Sequence, residues 1–535
     1  MSTCFVKLSR DAKRYDDESY LFLEDYIREP NITEARELTD QIFSKNRNFV
    51  AHYDYEGYKV TWSWYDIIYQ SILDFLQVSL LVNKIESINP RKIVLIDIPN
   101  NYAKVIERYF IKVNVELPKK SKFPQYFKEF IYNLILLFFT IISLIYFYFR
   151  RGDSVGTRTE DYIFKGTKSD FRLNHLYDKY QESNIQYIEF VRNTSLKDFF
   201  INIYKRKRFA IYYTSIIYFV NLLTKKTTYE MEPIDFHQSI LYNFHNANVV
   251  FIKSIPLIKK ILKIIKINKF VLISFSSRSA HLAIAAKSLN IKTIGIMHGL
   301  QQKDYAVYEF MESYNERKKI GCDIYGVWSN HYLEYFKKYS KILNPNEIFY
   351  SGLLRPIENF DSKILFKKIS NKKIKVLLIS EPLISVFEII PYLQCLMKHH
   401  DIEVAIKVRP MIKDIYYEEM LVKFPEIKNL KVYDGKIEDV GRDFDVFIGS
   451  NSTAVIEASL LGKISILLNT VKFGDYFDMD NILEGQSLLV RDSELLYEHI
   501  VDRVNNEHSL NTIEIIRKRF FGESKDGAEW LVEQL

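Results

Sequence analysis

From about residue 270 onward, short apolar β-branched runs alternate with amphipathic stretches of helical length, and this alternation constrains the fold more than any other feature of the chain. The runs at 324–328, 376–379, 403–408, 446–448 and 464–468 lack a polar face, as strands covered by helices on both sides must. Helical stretches fall between them at 331–340, 385–399 and 452–461. Strand and helix in alternation predict parallel βαβ units and an α/β fold. Runs at 271–275 and 293–297 open the rhythm, and another at 92–98 stands far upstream. At 535 residues the chain exceeds what one core organises. The expectation is an N-terminal Rossmann-like domain over 1–320 and a second over 321–505. A C-terminal helix in 506–535 would pack back on the first domain. The Asn- and Lys-rich segment 361–375 would lead into the second domain's main sheet.

Two apolar segments interrupt the N-terminal half. Residues 130–149 carry no charge and lie between Lys128 and Arg150, long enough to span a bilayer. Residues 209–224 are also uncharged, between the cluster Lys205, Arg206, Lys207, Arg208 and the pair Lys225, Lys226. With Lys119, Lys120, Lys122 and Arg151, the positive charge gathers where an anionic membrane surface would attract it. The strand-like runs at 92–98 and 271–275 flank these segments and are expected to share one sheet. A single crossing would divide that sheet across the bilayer. The segments are therefore expected as interfacial or re-entrant helices, with a spanning pair and a buried core helix as the alternatives. A third stretch, 255–270, sets Lys259, Lys260, Lys263, Lys266 and Lys269 along an apolar helix; it reads either as a peripheral membrane contact or as an ordinary amphipathic helix packed on a sheet.

Net charge of +7 on so long a chain, without zinc-knuckle or RNP-like runs, gives no reason to expect a nucleic-acid partner. Cys4, Cys322 and Cys395 lack paired spacing, so neither a disulfide framework nor a zinc site is indicated. Residues 1–20 are polar and lack a signal peptide's apolar core, so the expectation is a chain that stays in the cytosol.

Four strand-end turns carry the candidate chemistry. Residues 294–297 run into His298-Gly299; ligands of open α/β sheets bind beyond strand carboxyl ends, where a His can donate to phosphate or act as acid or base. Residues 446–449 run into Ser450-Asn451-Ser452-Thr453, a small-polar turn opening a helix that would aim N–H groups and hydroxyls at a phosphate. Ser452 or Thr453 reads equally as that helix's N-cap. Glu457, one turn on, is placed for a ribose hydroxyl or is a solvated first-turn acid. Arg409 ends a strand before Pro410, suited to bidentate phosphate contact. Ser380-Glu381-Pro382 and Ser351-Gly352 repeat the strand-then-turn design. Asp443-Phe444-Asp445 and Asp478-Met479-Asp480 match a metal-binding Asp-x-Asp pattern, but the first leads into a buried strand.

The order of these pieces over roughly 270–535 resembles bacterial capsule and surface-carbohydrate glycosyltransferases of the GT-B type, a set that includes polysialyltransferases, Kdo transferases and CDP-glycerol glycerophosphotransferases. The landmarks are His298-Gly299, Val327-Trp328-Ser329, Ser351-Gly352, Arg409-Pro410, and Gly449 to Thr453 followed by Glu457. Trp62, Trp64 and Tyr65, with the strand at 94–97, resemble the start of the family's acceptor-side domain. Many members carry His-Pro where this chain has Arg409-Pro410. The resemblance implies two Rossmann-like domains facing a cleft, with the membrane-associating helices inserted in the first. It implies metal-independent sugar transfer, without a cofactor, from a nucleotide-sugar donor such as a CMP-linked acidic sugar. The acceptor would be a surface glycan or lipid-linked molecule at the cytoplasmic face of the membrane. Donor phosphate would be held by Arg409, Gly449, Ser450, Ser452 and Thr453, with Glu457 and Gly352 nearby, and the base would be His298, with Asp97 or Glu381 as substitutes. A CDP-polyol phosphotransferase and a non-catalytic polysaccharide assembly protein are the alternatives of similar fold.

Overall fold

The computed structural model describes residues 3–8, 20–116, 123–149, 152–159, 173–192, 210–273, 275–305, 307–354, 373–381, 383–409, 415–482, 488–506, 509–523 and 525–535. The first sheet is small: Thr3–Lys7 (β1), Tyr20–Phe22 (β2), Lys92–Ile96 (β5) and Asn114–Glu116 (β6) pair in parallel in the order β2-β1-β5-β6. A hairpin of Asp54–Tyr55 (β3) and Tyr58–Lys59 (β4) stands apart from it. The second sheet holds Ser154–Thr159 (β7), Tyr187–Val191 (β8), Ala210–Tyr212 (β9), Ile267–Leu272 (β10), Lys292–Ile296 (β11), Ile324–Val327 (β12) and Ile348–Tyr350 (β13), in the order β13-β12-β11-β10-β7-β8-β9. The third holds Ile374–Ile379 (β14), Ile402–Lys407 (β15), Lys431–Tyr433 (β16), Val446–Gly449 (β17), Ile464–Leu468 (β18) and Leu489–Val490 (β19), in the order β16-β15-β14-β17-β18-β19. Every pairing in both large sheets is parallel.

The fold is therefore α/β with two Rossmann-like sheets, as the rhythm predicts. Each large sheet is wound from its centre to one edge, then from the centre to the other. The winding reverses between β7 and β10 and between β14 and β17, and a crevice opens at such a reversal beyond the strand ends.

Three expectations are corrected. The run at 92–98 joins the small first sheet instead of sharing one with β10, because strand partners are chosen by tertiary pairing and not by local pattern. The second sheet also takes in β12 and β13, so the chain leaves it after Tyr350, beyond the expected boundary at 320. The stretch 255–270 is no continuous helix: His245–Ile264 is a helix with Ile255, Ile258, Ile261 and Leu262 in the main core, and β10 starts at Ile267. Two of its lysines serve the fold, Lys259 pairing with Glu56 and Lys269 donating to the Gln534 carbonyl at 2.8 Å, while Lys260, Lys263 and Lys266 are exposed. Of the basic clusters named above, residues 119, 120, 122, 150, 151 and 205–208 lie outside the described residues, as does the segment 361–372.

The segment 209–224 divides into the edge strand β9 and a helix, Tyr213–Leu223. Residues 130–149 belong to a longer helix, Phe123–Phe149, which lies across that edge strand and alongside the Tyr213–Leu223 helix. Tyr212 of β9 donates its N–H to Thr140 Oγ1 at 3.1 Å, which itself donates to the Leu136 carbonyl. Covering an edge strand in this way removes its open hydrogen-bonding groups. Among the described residues, this is the one unbroken helix long and apolar enough to cross a membrane, and a third of its most apolar window is buried in the protein. Segments before and after it pack directly on one another: Trp64 Nε1 donates to Asn248 Oδ1 at 2.9 Å, Ser239 Oγ donates to the Arg108 carbonyl at 3.1 Å, and the rings of Phe75 and Phe236 lie 4.6 Å apart. The chain before this helix and the chain after it therefore pack on one another through helices, and not through the shared sheet that was expected.

The C-terminal residues return to the second sheet. Asp526 pairs with His175, Gly527 donates its N–H to the Leu353 carbonyl at 2.8 Å, and Ala528 and Leu531 are buried with Val155, Ile294 and Ile324. On the sheet's other side, Tyr325 of β12 donates to the buried Glu309 carboxyl, whose other oxygen has no partner among the described residues. Burial pushes this carboxyl up to about 8 against the bond from Tyr325, so it is protonated at neutral pH. With the folded value above the ordinary 4.5, the group's contribution to stability is whole below 4.5 and is lost as pH rises towards 8. Glu309→Gln should therefore flatten the fall of the melting midpoint between those two pH values, read by scanning fluorimetry against pH.

Candidate functional site

Parallel pairing brings the carboxyl ends of β14, β15, β17 and β18 to one edge of the third sheet, around its reversal point. The helix after β17 packs close to its strand end because Gly449 has no side chain: a Cβ would stand 2.6 Å from Val455 Cγ2. Glu381 follows β14 and Arg409 follows β15. The Arg409 Nη2 donates to both oxygens of Glu381, at 2.7 and 2.9 Å; the carboxylate is buried and the arginine side chain is 42% exposed. Glu381 thus aims the guanidinium, and its lone pairs are engaged. The adjacent Lys407 is buried, with Nζ donating to the Val408 carbonyl. Three cationic or paired groups accordingly stand at two neighbouring strand ends.

Beyond β17, Ser450 is buried with its hydroxyl 3.1 Å from that of Thr470, which follows β18. Ser452 occupies the N-cap position of the short helix Thr453–Glu457, yet its side chain makes no capping bond. Its hydroxyl is not committed to the helix. Glu457, half-buried, ends that helix.

His298 and Gly299 follow β11, at the carboxyl edge of the second sheet, and His298 is half-buried. The two edges meet here: Leu300 donates its N–H to Thr453 Oγ1 at 3.3 Å, and a Cβ at Gly299 would meet only that same oxygen, at 3.9 Å. Beside the contact, Gln301 Oε1 and Asn451 Oδ1 are buried without a partner among the described residues, one on each edge. A buried polar atom of this kind calls for a water or a ligand.

The structure thus gathers Glu381, Arg409, Gly449, Ser450, Ser452 and Thr453 on one edge and sets the loop that follows His298, at Gly299 and Leu300, against Thr453. Two expected residues stand elsewhere. Asp97 is exposed at the end of β5, in the first sheet, with a left-handed backbone (φ 56°). Gly352, at φ 84°, faces the C-terminal segment, where a Cβ would stand 2.2 Å from the Lys525 carbonyl. Of the two Asp-x-Asp runs, Asp445 accepts the Lys375 N–H, while Asp478 and Asp480 pair with Arg519 and Arg491.

One carboxylate escapes the sequence reading. Asp66 opens the helix Tyr65–Gln77 and accepts the Ser277 hydroxyl at 2.9 Å and its N–H at 3.4 Å, in the loop beyond β10 at the second sheet's reversal point. Burial raises its carboxyl and the bonds from Ser277 oppose the rise. The signal available was an acid following Trp62, Trp64 and Tyr65, but only the fold carries it to a strand edge.

No family model and no curated protein sequence matches the chain. Solved structures with a similar course include a glycosyltransferase from Rickettsia africae, at 13% identity and TM-score 0.42, covering 72% of this chain and 98% of that one. A UDP-GlcNAc 2-epimerase from Neisseria meningitidis bound to UDP-GlcNAc aligns at 11% identity and TM-score 0.42, over 71% and 99%. S. aureus MnaA with UDP aligns at 10% identity and TM-score 0.42, over 71% and 95%. What the site can bind follows from its own geometry.

Two outcomes are expected. Thr453→Val removes the acceptor of the Leu300 N–H, and since one such bond contributes about 1 kcal/mol, hydrogen exchange around Leu300 should quicken roughly fivefold. Gly352→Ala forces a Cβ into the Lys525 carbonyl at a strained φ, a cost on the order of 2 kcal/mol, so the melting midpoint should fall by about 5 °C with no change in nucleotide affinity.

Proposed function

We propose that the protein is a glycosyltransferase that moves a sugar from a nucleotide-activated donor to a membrane-associated acceptor, working in the gap between the two sheet edges. The observation that carries this is the arginine anchored by Glu381 on the edge that holds the Ser450 to Thr453 turn, with the loop after His298 bonded to Thr453 and the buried amide oxygens of Gln301 and Asn451 without a partner among the described residues. Such a set suits a ligand with phosphate at one end and hydroxyls at the other.

In the proposed reaction, Arg409 and the N–H groups of the turn hold the donor's phosphate. As the bond from the sugar's anomeric carbon to the phosphate oxygen breaks, negative charge develops on that oxygen, and the same groups stabilise it. The acceptor hydroxyl forms the new bond to the anomeric carbon and gives its proton to a base. His298 is assigned as that base, since imidazole is the side chain most often used to take a proton in such a step and this one follows a strand at the sheet's carboxyl edge. Glu381 is assigned to positioning, because its oxygens hold Arg409. Gln301 and Asn451 would take hydroxyls of the donor. The charge placed around the phosphate supports transfer without a required metal. A CMP-linked acidic sugar is the proposed donor, on the Ser-rich turn.

The outward face of the helix Phe123–Phe149 supports work at the cytoplasmic face of a membrane. Phe127, Phe138, Ile145, Tyr148 and Phe149 are exposed, while Asn133, Thr140 and Ser143 are buried beneath it. Leu136, Phe139 and Phe147 are buried on the same flank, so the helix is apolar on both faces, and its exposed apolar face agrees with an interfacial seat.

The test is thermal stabilisation by CMP, CDP, UDP and GDP. One of them at a hundredfold excess over its dissociation constant should stabilise the wild type by about 2.7 kcal/mol. Arg409→Ala and Ser452→Ala should abolish the shift. Stabilisation by none of the four would overturn the nucleotide-donor assignment. A shift without transfer to any acceptor would favour the non-catalytic assembly protein.

A further inference from the structure

A cavity of about 660 Å³ lies between the inner flank of the helix Phe123–Phe149, the helix Tyr213–Leu223 and the helix His245–Ile264. Arg192, just past β8, and Thr214, just past β9, line it, so it stands at the carboxyl ends of these strands. That is the same edge of the second sheet from which His298 follows β11. β8 and β11 are three strand intervals apart in the sheet, roughly 14 Å at the usual strand spacing. One extended molecule can therefore reach from the cavity to His298.

The lining has two chemistries. Arg192 and Lys226 are exposed cations on its wall, set against the single carboxylate of Glu129, while Trp64 and the buried ring of His281 supply an aromatic side. Trp64 is held by Asn248 and by the rings of Phe244 and Phe251, so its place is set before any ligand arrives. Glu129, Tyr132 and Asn133 come from the apolar helix itself, whose opposite face is the exposed apolar surface described above. A guanidinium and an ammonium together select phosphate over neutral hydroxyls. A helix that is apolar on its outer face and walls a cationic cavity on its inner flank suits an amphiphile, tail outside and charged head within.

We propose that this cavity holds the phosphorylated head of a lipid-linked acceptor, with Arg192 and Lys226 on the phosphate and the lipid tail along the helix Phe123–Phe149. The proposal rests on the transferase assignment, which it deepens by naming the acceptor class. It also locates the acceptor: the phosphate lies beyond the carboxyl ends of β8 and β9, and the growing end points to His298. Confinement of both partners to one surface raises their effective concentration.

The test is direct binding of hexadecyl phosphate to the full-length protein in uncharged detergent micelles by titration calorimetry, with hexadecanol and inorganic phosphate as the comparison arms. The wild type should bind hexadecyl phosphate at least tenfold more tightly than either. Arg192→Ala with Lys226→Ala should weaken it tenfold or more, and Lys226→Gln alone several-fold. Both substituted positions are exposed, so the variants should keep the wild-type melting midpoint and its stabilisation by nucleotide. Equal affinity for hexadecanol, equal affinity for inorganic phosphate, or unchanged affinity in the double variant would each overturn the proposal. Failure of nucleotide stabilisation with lipid binding intact would remove the donor assignment and leave the lipid site standing; the converse result would remove only the lipid site.

Discussion

Parallel pairing is the constraint on which the rest of the molecule depends. When every strand of a sheet runs the same way, every strand ends on the same edge, and residues far apart in the chain arrive there together. Glu381 and Arg409 meet at 2.7 Å only because β14 and β15 are parallel neighbours, and Ser450 reaches Thr470 across β17 and β18 for the same reason. The reversal of winding between β14 and β17 then leaves a gap between their following loops instead of filling it with a helix. The bond from Leu300 to Thr453 joins this edge to the edge carrying His298, and Tyr305 packs on Phe473 and Tyr476 nearby.

The same edge effect explains the apolar helix. β9 closes the second sheet, and an uncovered terminal strand would expose its backbone groups. Thr140 and the buried flank of Phe123–Phe149 cover it, which draws Asn133, Thr140 and Ser143 inward with Leu136 and Phe139 and leaves aromatic and isoleucine side chains outward. Full burial of such a side chain contributes about 1.5 to 3 kcal/mol, so a handful of exposed rings is a large store of binding energy for a lipid surface. The helix thus protects a sheet edge on one face and offers an apolar surface on the other. The cavity on its flank lies between that surface and the strand ends where chemistry is proposed.

Much of the third sheet was legible along the chain. The run at 464–468 is a strand end to end, and those at 376–379, 403–408 and 446–448 differ from the structure by one or two residues. Fully buried parallel strands carry continuous β-branched runs, so local pattern suffices for them. That Arg409, Ser450 and Ser452 stand just after strands was legible for the same reason, since the end of each run marks the end of its strand. The N-terminal half was less legible. Its strand at 92–96 looks no different from those of the second sheet, yet pairs with β1 and β6.

What the sequence by itself determined is the alternation of buried strand and helix, the α/β class that follows from it, and the polar strand-end turns, all of which depend on neighbours within a few residues. Tertiary structure alone decided which sheet each strand joins, that Gly352 serves the C-terminal contact, that Asp97 stands apart from His298, and that Glu381 holds Arg409. It also decided that Asp66 meets Ser277, and that Asn451 and Gln301 lie buried on opposing edges. The physical reason is range: periodicity and turn chemistry act along the chain, whereas pairing, burial of a polar atom and the meeting of two edges depend on residues brought together only when the chain closes on itself.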